Sequence, residues 1–304
     1  MLNEATRQFV RYWIRDPLLG ALFVTVHHGM RLLPIDACSR SGAETTRLTR
    51  SFYPESDRRA RRLWQALHPE AADAAATDAA MDRLWRNVGR TMHEYSVIDR
   101  LWGAGRIAVE GMHHVDEARA QGRPILATPL HLGNWETVLI AGIAGGHPGS
   151  GIYLPPENRF EHAIVNAARR RYGARIVKAG PDSLRQALRE LKAKRGPFII
   201  FVDEFIRGRV QAPAFGRTLR PDSNIGYAVQ LARRADAALI PAYCERIGDA
   251  ARFKVHVLPP VELVANADRD AETRENMARL NAVIEPIVRA HIDQWYYALD
   301  FEFD

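Results

Sequence analysis

The residues of this chain whose types and spacing suit chemistry lie in one stretch, Pro124-Ile-Leu-Ala-Thr-Pro-Leu-His131-Leu-Gly-Asn-Trp-Glu136-Thr-Val-Leu-Ile140. A histidine and a carboxylate make a proton-transfer pair when the carboxylate holds one imidazole nitrogen and leaves the other free as a general base. Five residues apart in an ideal helix, the two would point about 140° away from each other. They share a face only if His131 lies in a turn ahead of the helix that carries Glu136. The sequence supplies such a turn: an apolar run ends at Pro129, Gly133 follows, and Asn134 stands where an N-cap would open the next helix. His131 is then expected at the carboxyl end of a strand, where open α/β sheets place ligands. Glu136 would occupy the first helical turn, where the positive dipole end favours the ionised carboxylate. On this pattern alone, a structural histidine satisfied beside a turn is the competing reading.

The elements that must position this turn read as two regions. Residues 1–104 are mainly helical in pattern, with Arg58, Arg59, Arg61 and Arg62 opening a helix that carries Leu63, Trp64 and Leu67. Gly103 and Gly105 mark a change of rhythm. From there to residue 304, short apolar runs (Ile107–Val109, Ile125–Ala127, Ile152–Leu154, Arg175–Val177, Phe198–Val202, Ala238–Tyr243, Phe253–Val257) alternate with helical patterns at Val115–Ala120, Trp135–Ala144, Ala163–Tyr172, Ser183–Ala193 and Ile225–Arg234. A final helix is expected within Arg274–Ile292. Such alternation predicts βαβ units: an α/β fold with a mainly parallel sheet flanked by helices, behind a helical N-terminal region.

Composition narrows the function classes. The 304 residues are 47% hydrophobic and 26% charged, globular proportions that exclude a disordered tail or a collagen. Two cysteines, Cys38 and Cys244, lie far apart without CxxC spacing, which argues against a structural zinc site and gives no reason for an oxidising compartment. Cys244 falls in a strand-like apolar run, where a buried structural thiol is the expected state. The net charge is +6, and 38 of the 42 basic residues are arginines, whose planar fork suits phosphate. No phosphate-loop, dinucleotide, zinc-protease or serine-hydrolase motif is present, and no basic–aromatic platform suggests nucleic acid.

The most apolar early stretch, Pro17–Val26, is followed at once by His27 and His28. A bilayer core needs about 20 apolar residues, so a transmembrane helix is not expected. An interfacial helix fits, with Trp13, Leu18, Leu19, Leu22 and Phe23 entering the headgroup boundary while Arg11, Arg15 and Arg31 meet anionic lipid. An ordinary buried helix is the alternative. No basic leader with a cleavage site precedes it, and the chain is expected to face the cytosol.

His131-Leu-Gly-Asn-Trp-Glu136 resembles the HxxxxE/D motif of the glycerolipid acyltransferase superfamily, and in this wording it is most similar to the lipid A late acyltransferases, the lauroyl and myristoyl acyltransferases. Further blocks in order are similar to that family: Arg31-Leu-Leu-Pro34, Arg86–Glu94, Gly111, Asn158-Arg-Phe160, Arg169–Gly173, Phe198–Asp203, Ala214-Phe-Gly216 and Ala238–Tyr243. The likeness spans most of residues 17–260 and is specific mainly at the first motif.

The resemblance implies transfer of a fatty acyl chain from acyl carrier protein to a hydroxyl of a membrane lipid acceptor, a lipid A precursor, with no metal and no cofactor. His131 would take the hydroxyl proton and Glu136 would orient the imidazole. Arg169 is implied as a donor to the oxyanion or an acceptor phosphate, with Asp203, Asn134 and Arg159 as further substrate-binding residues. The implied location is the cytoplasmic face of the inner membrane, peripheral or N-terminally anchored, with no nucleic acid partner. Three departures stand out: Asp203-Glu204 where the family commonly has Asp-Gln, Ala214-Phe215-Gly216 where it has Phe-Phe-Gly, and an acidic end, Gln294–Asp304, where it often closes with basic residues. A lysophospholipid or specialised lipid as acceptor, or hydrolysis of the acyl thioester, are the alternative readings.

Overall fold

The computed structural model describes residues 3–71, 73–156, 158–180 and 182–303. Met1 and Leu2 of the helical front, and Asp304 of the acidic end, lie outside the described residues. Five helices come first: α1 (Glu4–Val10), α2 (Asp16–Arg31), α3 (Ile35–Thr49), α4 (Pro54–Leu67) and α5 (Ala74–Glu94). A π-helical turn, Arg11–Arg15, joins α1 to α2. Asn3 and Asp73 cap α1 and α5 by accepting backbone N–H bonds from Thr6 and Ala76, as short polar side chains do at free helix starts.

The α/β part follows as β1 (Ile107–Glu110), α6 (His113–Ala120), β2 (Ile125–Pro129), α7 (Glu136–Ala144), β3 (Ser150–Tyr153), α8 (Arg159–Tyr172), β4 (Arg175–Lys178), α9 (Ser183–Ala193) and β5 (Phe198–Ile199). A small antiparallel hairpin, β6 (Phe205–Ile206) with β7 (Arg209–Val210), precedes α10 (Asn224–Ala235), β8 (Ala238–Arg246), β9 (Phe253–Val257) and α11 (Arg269–Ala290). Seven strands form one sheet in the order β1-β9-β8-β2-β5-β3-β4. The five from β8 to β4 run parallel; β9 reverses against β8, and β1 runs with β9.

The expected mainly parallel sheet is therefore present. The run expected as a strand over Phe198–Val202 keeps ladder pairing only at Phe198 and Ile199, and Ile200 still donates to the carbonyl of Ala127 at 3.0 Å. Strand periodicity sends neighbouring side chains to opposite faces. Leu126 and Leu239 accordingly pack with α9, α10 and α11, and also with Leu63, Met81 and Leu84 of α4 and α5. Ile125 and Ile240 pack on the other face with α6 and α7. Fully burying each such side chain contributes about 1.5–3 kcal/mol, which fixes the register that holds the turn after β2.

Candidate functional site

The turn beyond β2 is held from three sides. Leu130 donates to the carbonyl of Ala242, Gly133 donates to that of Gln294, and Tyr296 donates to that of His131, at 3.0–3.2 Å. Leu132 also bridges Trp295. Gly133 has φ +55° and passes so close to β8 that a Cβ would stand 2.8 Å from the carbonyl oxygen of Cys244, so only glycine fits. The C-terminal segment, read in the sequence mainly for its acidity, thus braces the turn with Gln294, Trp295 and Tyr296.

The pairing expected between His131 and Glu136 is not the one formed. His131 Nδ1 lies 2.8 Å from Asp203 Oδ1, and the His131 backbone N–H donates to Asp203 Oδ2 at 2.8 Å. The Trp295 indole N–H donates to the same Oδ2, also at 2.8 Å. Asp203 is wholly buried. The cause is strand adjacency: β2 and β5 run parallel with Leu126 opposite Phe198, and extending both chains by five residues brings His131 level with Asp203. Because a carboxylate on Nδ1 fixes the proton there, Nε2 is the free, basic nitrogen. Phe201, Trp135 and Tyr297 surround the ring, with centroids 4.2, 5.0 and 4.9 Å away.

Glu136, the first residue of α7, is buried and saturated by other donors. Arg169 reaches it through Nε at 3.1 Å and Nη2 at 2.5 Å, Tyr95 donates at 2.6 Å, and the Tyr172 hydroxyl completes the set. Full burial works against its charge, but Arg169 and these donors outweigh that and hold the carboxyl below its usual range. Burial likewise opposes the Arg169 cation, and Glu136 more than restores it, raising its pKa well above the usual value. The guanidinium also lies over the Tyr153 ring, 4.5 Å from its centroid. Arg169 is thus committed to Glu136 in a buried ion pair.

Asn134 is not the cap of α7. Trp135 precedes that helix without a side-chain cap, while the buried Asn134 donates to Glu94 Oε2 at 3.0 Å. Glu94 in turn takes two bonds from Arg246, at 2.7 and 2.8 Å, and one from Ser39 at 2.6 Å. Arg159 donates to the carbonyl of Tyr12 at 2.9 Å and covers the Tyr12 ring at 4.0 Å, so it ties α8 to the N-terminal helices. Cys244 is buried and its thiol is pushed up to about 11 by that burial, the state of a structural cysteine.

His131 opens on a cavity of about 460 Å³ that also has Phe23, Val26, Tyr153, Val165 and Tyr297 in its wall, the size and largely apolar character of a small-molecule site. Two carboxylates join it that the sequence reading did not assign to a site: Glu161 and Glu204. Burial raises both, with Asp203 adding to the rise at Glu204 and His131 opposing it. Adjacency to Asp203 was the one available signal for Glu204; Glu161 had none.

One wall of the cavity belongs to α2, whose outer face is apolar and exposed: Leu18 and Leu22 are 69% and 56% accessible, and Trp13 just before it 61%. Gly20 lets this helix lie against α8, since a Cβ there would fall within 2.3 Å of the Phe160 ring. Among the described residues no helix is long and apolar enough to cross a membrane, and no group of three or more metal-ligating side chains is found.

No curated protein matches the chain. The family model described as bacterial lipid A biosynthesis acyltransferase, however, matches residues 4–299. With that match extending across the His131 turn, Asp203 and the C-terminal brace, the chain belongs to the bacterial lipid A biosynthesis acyltransferase family.

Proposed function

We propose that the chain transfers a fatty acyl group from an acyl carrier protein thioester to a hydroxyl of a lipid A precursor, at the cytoplasmic face of the inner membrane. The observation that carries this reading is His131, with Nδ1 held by buried Asp203, in the wall of an apolar cavity shared with the exposed amphipathic helix α2. Nε2 takes the acceptor hydroxyl proton as the oxygen attacks the thioester carbonyl carbon. Asp203 stabilises the imidazolium that forms. When the tetrahedral intermediate collapses, the C–S bond breaks, the new ester remains, and Nε2 returns the proton to the carrier thiolate. Glu136 acts at a distance in this scheme: it anchors Arg169, and the pair fixes α7 against α8 behind the turn.

The cavity wall favours an uncharged part of the acceptor beside His131. Glu161 and Glu204 contribute carboxylates, and the guanidinium of Arg169 is already paired. A sugar hydroxyl suits such a wall better than a phosphate does. Membrane lipids, lipid A included, from cells expressing wild type or His131→Ala provide the test by mass spectrometry. A species heavier by one acyl group only with wild type supports transfer and names the acceptor. Purified protein that releases fatty acid from acyl carrier protein at the same rate with and without acceptor would make it a thioester hydrolase instead.

A further inference from the structure

The last turn of α2, the last turn of α8 and the turn Ile98–Arg100 converge beside the cavity, and their charges do not balance. Arg31 donates to both oxygens of Asp99, at 3.0 and 3.2 Å, and to the carbonyl of Ser96 at 2.9 Å. Arg171 approaches the same carboxylate from α8, with its Nε 3.6 Å from Oδ2, beyond hydrogen-bond length. Among the described residues, no hydrogen bond engages the Arg171 guanidinium. Arg100, on the same turn, turns its guanidinium to the carbonyl of Leu33 at 2.7 Å. Among the described residues Asp99 is therefore the carboxylate shared by two arginines, Arg31 partly buried and Arg171 exposed, with side chains 29% and 31% accessible.

The excess positive charge registers on its neighbours. His27, buried one turn before Arg31 and 3.1 Å from the Ser96 hydroxyl, is held down to about 4, by burial first and then by Arg171, His28 and Arg31. Burial and Arg31 together lower Arg171. Helix C-termini do favour cations, by about 0.3–1 kcal/mol each. That effect accounts for a basic residue on each helix, but not for two brought onto one carboxylate with guanidinium donors left over. His27 and Ser96 also line the cavity that contains His131, so the cluster stands just behind that part of its wall.

We infer that Arg31 and Arg171 form an anion site for a phosphate group of the lipid acceptor, beside the cavity that contains His131. This rests on the acceptor reading above and deepens it, because the described cavity lining presents the carboxylates of Glu161 and Glu204 and an arginine, Arg169, already paired with Glu136. Two planar guanidinium groups from different helices can each present paired N–H donors to phosphate oxygens. Asp99 keeps both arginines near the site when it is empty, and a dianionic phosphate outbids it by charge.

The test is equilibrium binding of the full chain in detergent micelles to a lipid A precursor and to the same lipid stripped of phosphate by a phosphatase. Wild type is expected to favour the phosphorylated lipid by about tenfold or more. Arg171→Gln is the decisive variant, because Asp99 keeps its bonds from Arg31; it should bring the ratio below about threefold by weakening the phosphorylated lipid alone. Arg31→Gln should act in the same direction, but it also loosens Ser96. Equal binding of both lipids by wild type, or a ratio that survives Arg171→Gln, overturns the site. Displacement of the lipid by a small excess of inorganic phosphate would make it a free-phosphate site and overturn the headgroup assignment. Selective binding without acyl transfer would leave this site standing and remove the acyltransferase reading, so the two failures are separable.

Discussion

The imidazole of His131 and the carboxylate of Asp203 meet at 2.8 Å in the segments that run on from the carboxyl ends of two adjacent parallel strands, β2 and β5. The two residues are 72 positions apart in sequence, and the short segments that carry them leave neighbouring strands on the same edge of the sheet. The pairing of β2 with β5 starts the two segments side by side, and a second bond from the His131 backbone N–H locks the pair. Preorganisation of this kind avoids the cost of aligning the base at the moment of reaction.

Asp203→Asn should therefore lower kcat by about 10³–10⁴, because an amide favours the wrong imidazole tautomer. KM for both substrates should change little. Steady-state kinetics on the purified variant checks this, with near-ultraviolet circular dichroism of Trp295 reporting that the local packing is retained. A variant with kcat within a few-fold of wild type would remove Asp203 from the mechanism.

Glu136→Gln should act mainly on stability. It leaves Arg169 as an uncompensated buried cation, a loss of about 3–5 kcal/mol, and Glu136→Gln with Arg169→Met should recover much of it. The sign with pH follows from the lowered carboxyl of Glu136. Its contribution is present above the ordinary carboxylate value of about 4.3 and is lost as pH falls through its lower folded value. Denaturant unfolding at pH 7 and at acid pH should thus show the gap between wild type and Glu136→Gln narrowing as pH falls.

The turn that presents His131 is legible in the sequence because its determinants are local: a buried strand, Pro129, and a glycine at the closest approach to β8. The partner of His131 is not, because it depends on which strand lies beside β2. The neighbour is β5, with β3 and β4 passed over between them in the chain. The same limit applies to Glu136, whose donors arrive from Tyr95 after α5 and from Arg169 and Tyr172 on α8. Periodicity identifies each of those helices and says nothing of which side chains converge. Asn134 illustrates the converse: its residue type suits a cap, yet a buried Glu94 and Arg246 pair takes its side chain for the core.

Glu204 gives a prediction of opposite sign to that for Glu136. Burial raises its carboxyl, with Asp203 adding to the rise. In the unfolded chain it ionises near 4.3, so stability is lost as pH rises from that value through the higher folded value, above which the folded protein must bear a charge it disfavours. Glu204→Gln should leave stability unchanged at pH 4 and raise it at neutral pH, by about 1 kcal/mol or about 2 °C in Tm. Thermal unfolding at the two pH values checks the sign. A variant less stable than wild type at neutral pH would mean that the bond from Asn224, 3.1 Å from Oε2, outweighs the burial cost.

The exposed face of α2 should be what brings the cavity to a lipid surface. Leu18 and Leu22 are one helical turn apart and point away from the core, while Phe23 and Val26 are both partly exposed and part of the cavity wall. A helix immersed along that face would place the cavity beside the headgroups, with Arg11 and Arg15, both close to Asp16, in the turn just before it. Transfer of each leucine from water is worth about 1.5–3 kcal/mol. Leu18→Glu with Leu22→Glu should accordingly weaken binding to anionic vesicles by at least about 100-fold and leave Tm unchanged, because neither side chain supports the core. Sedimentation with vesicles at two salt concentrations separates the contributions: the loss from the leucine changes should persist at high salt, whereas any share due to the arginines should fade as the charges are screened. Equal vesicle binding by variant and wild type would assign the exposed face to another partner.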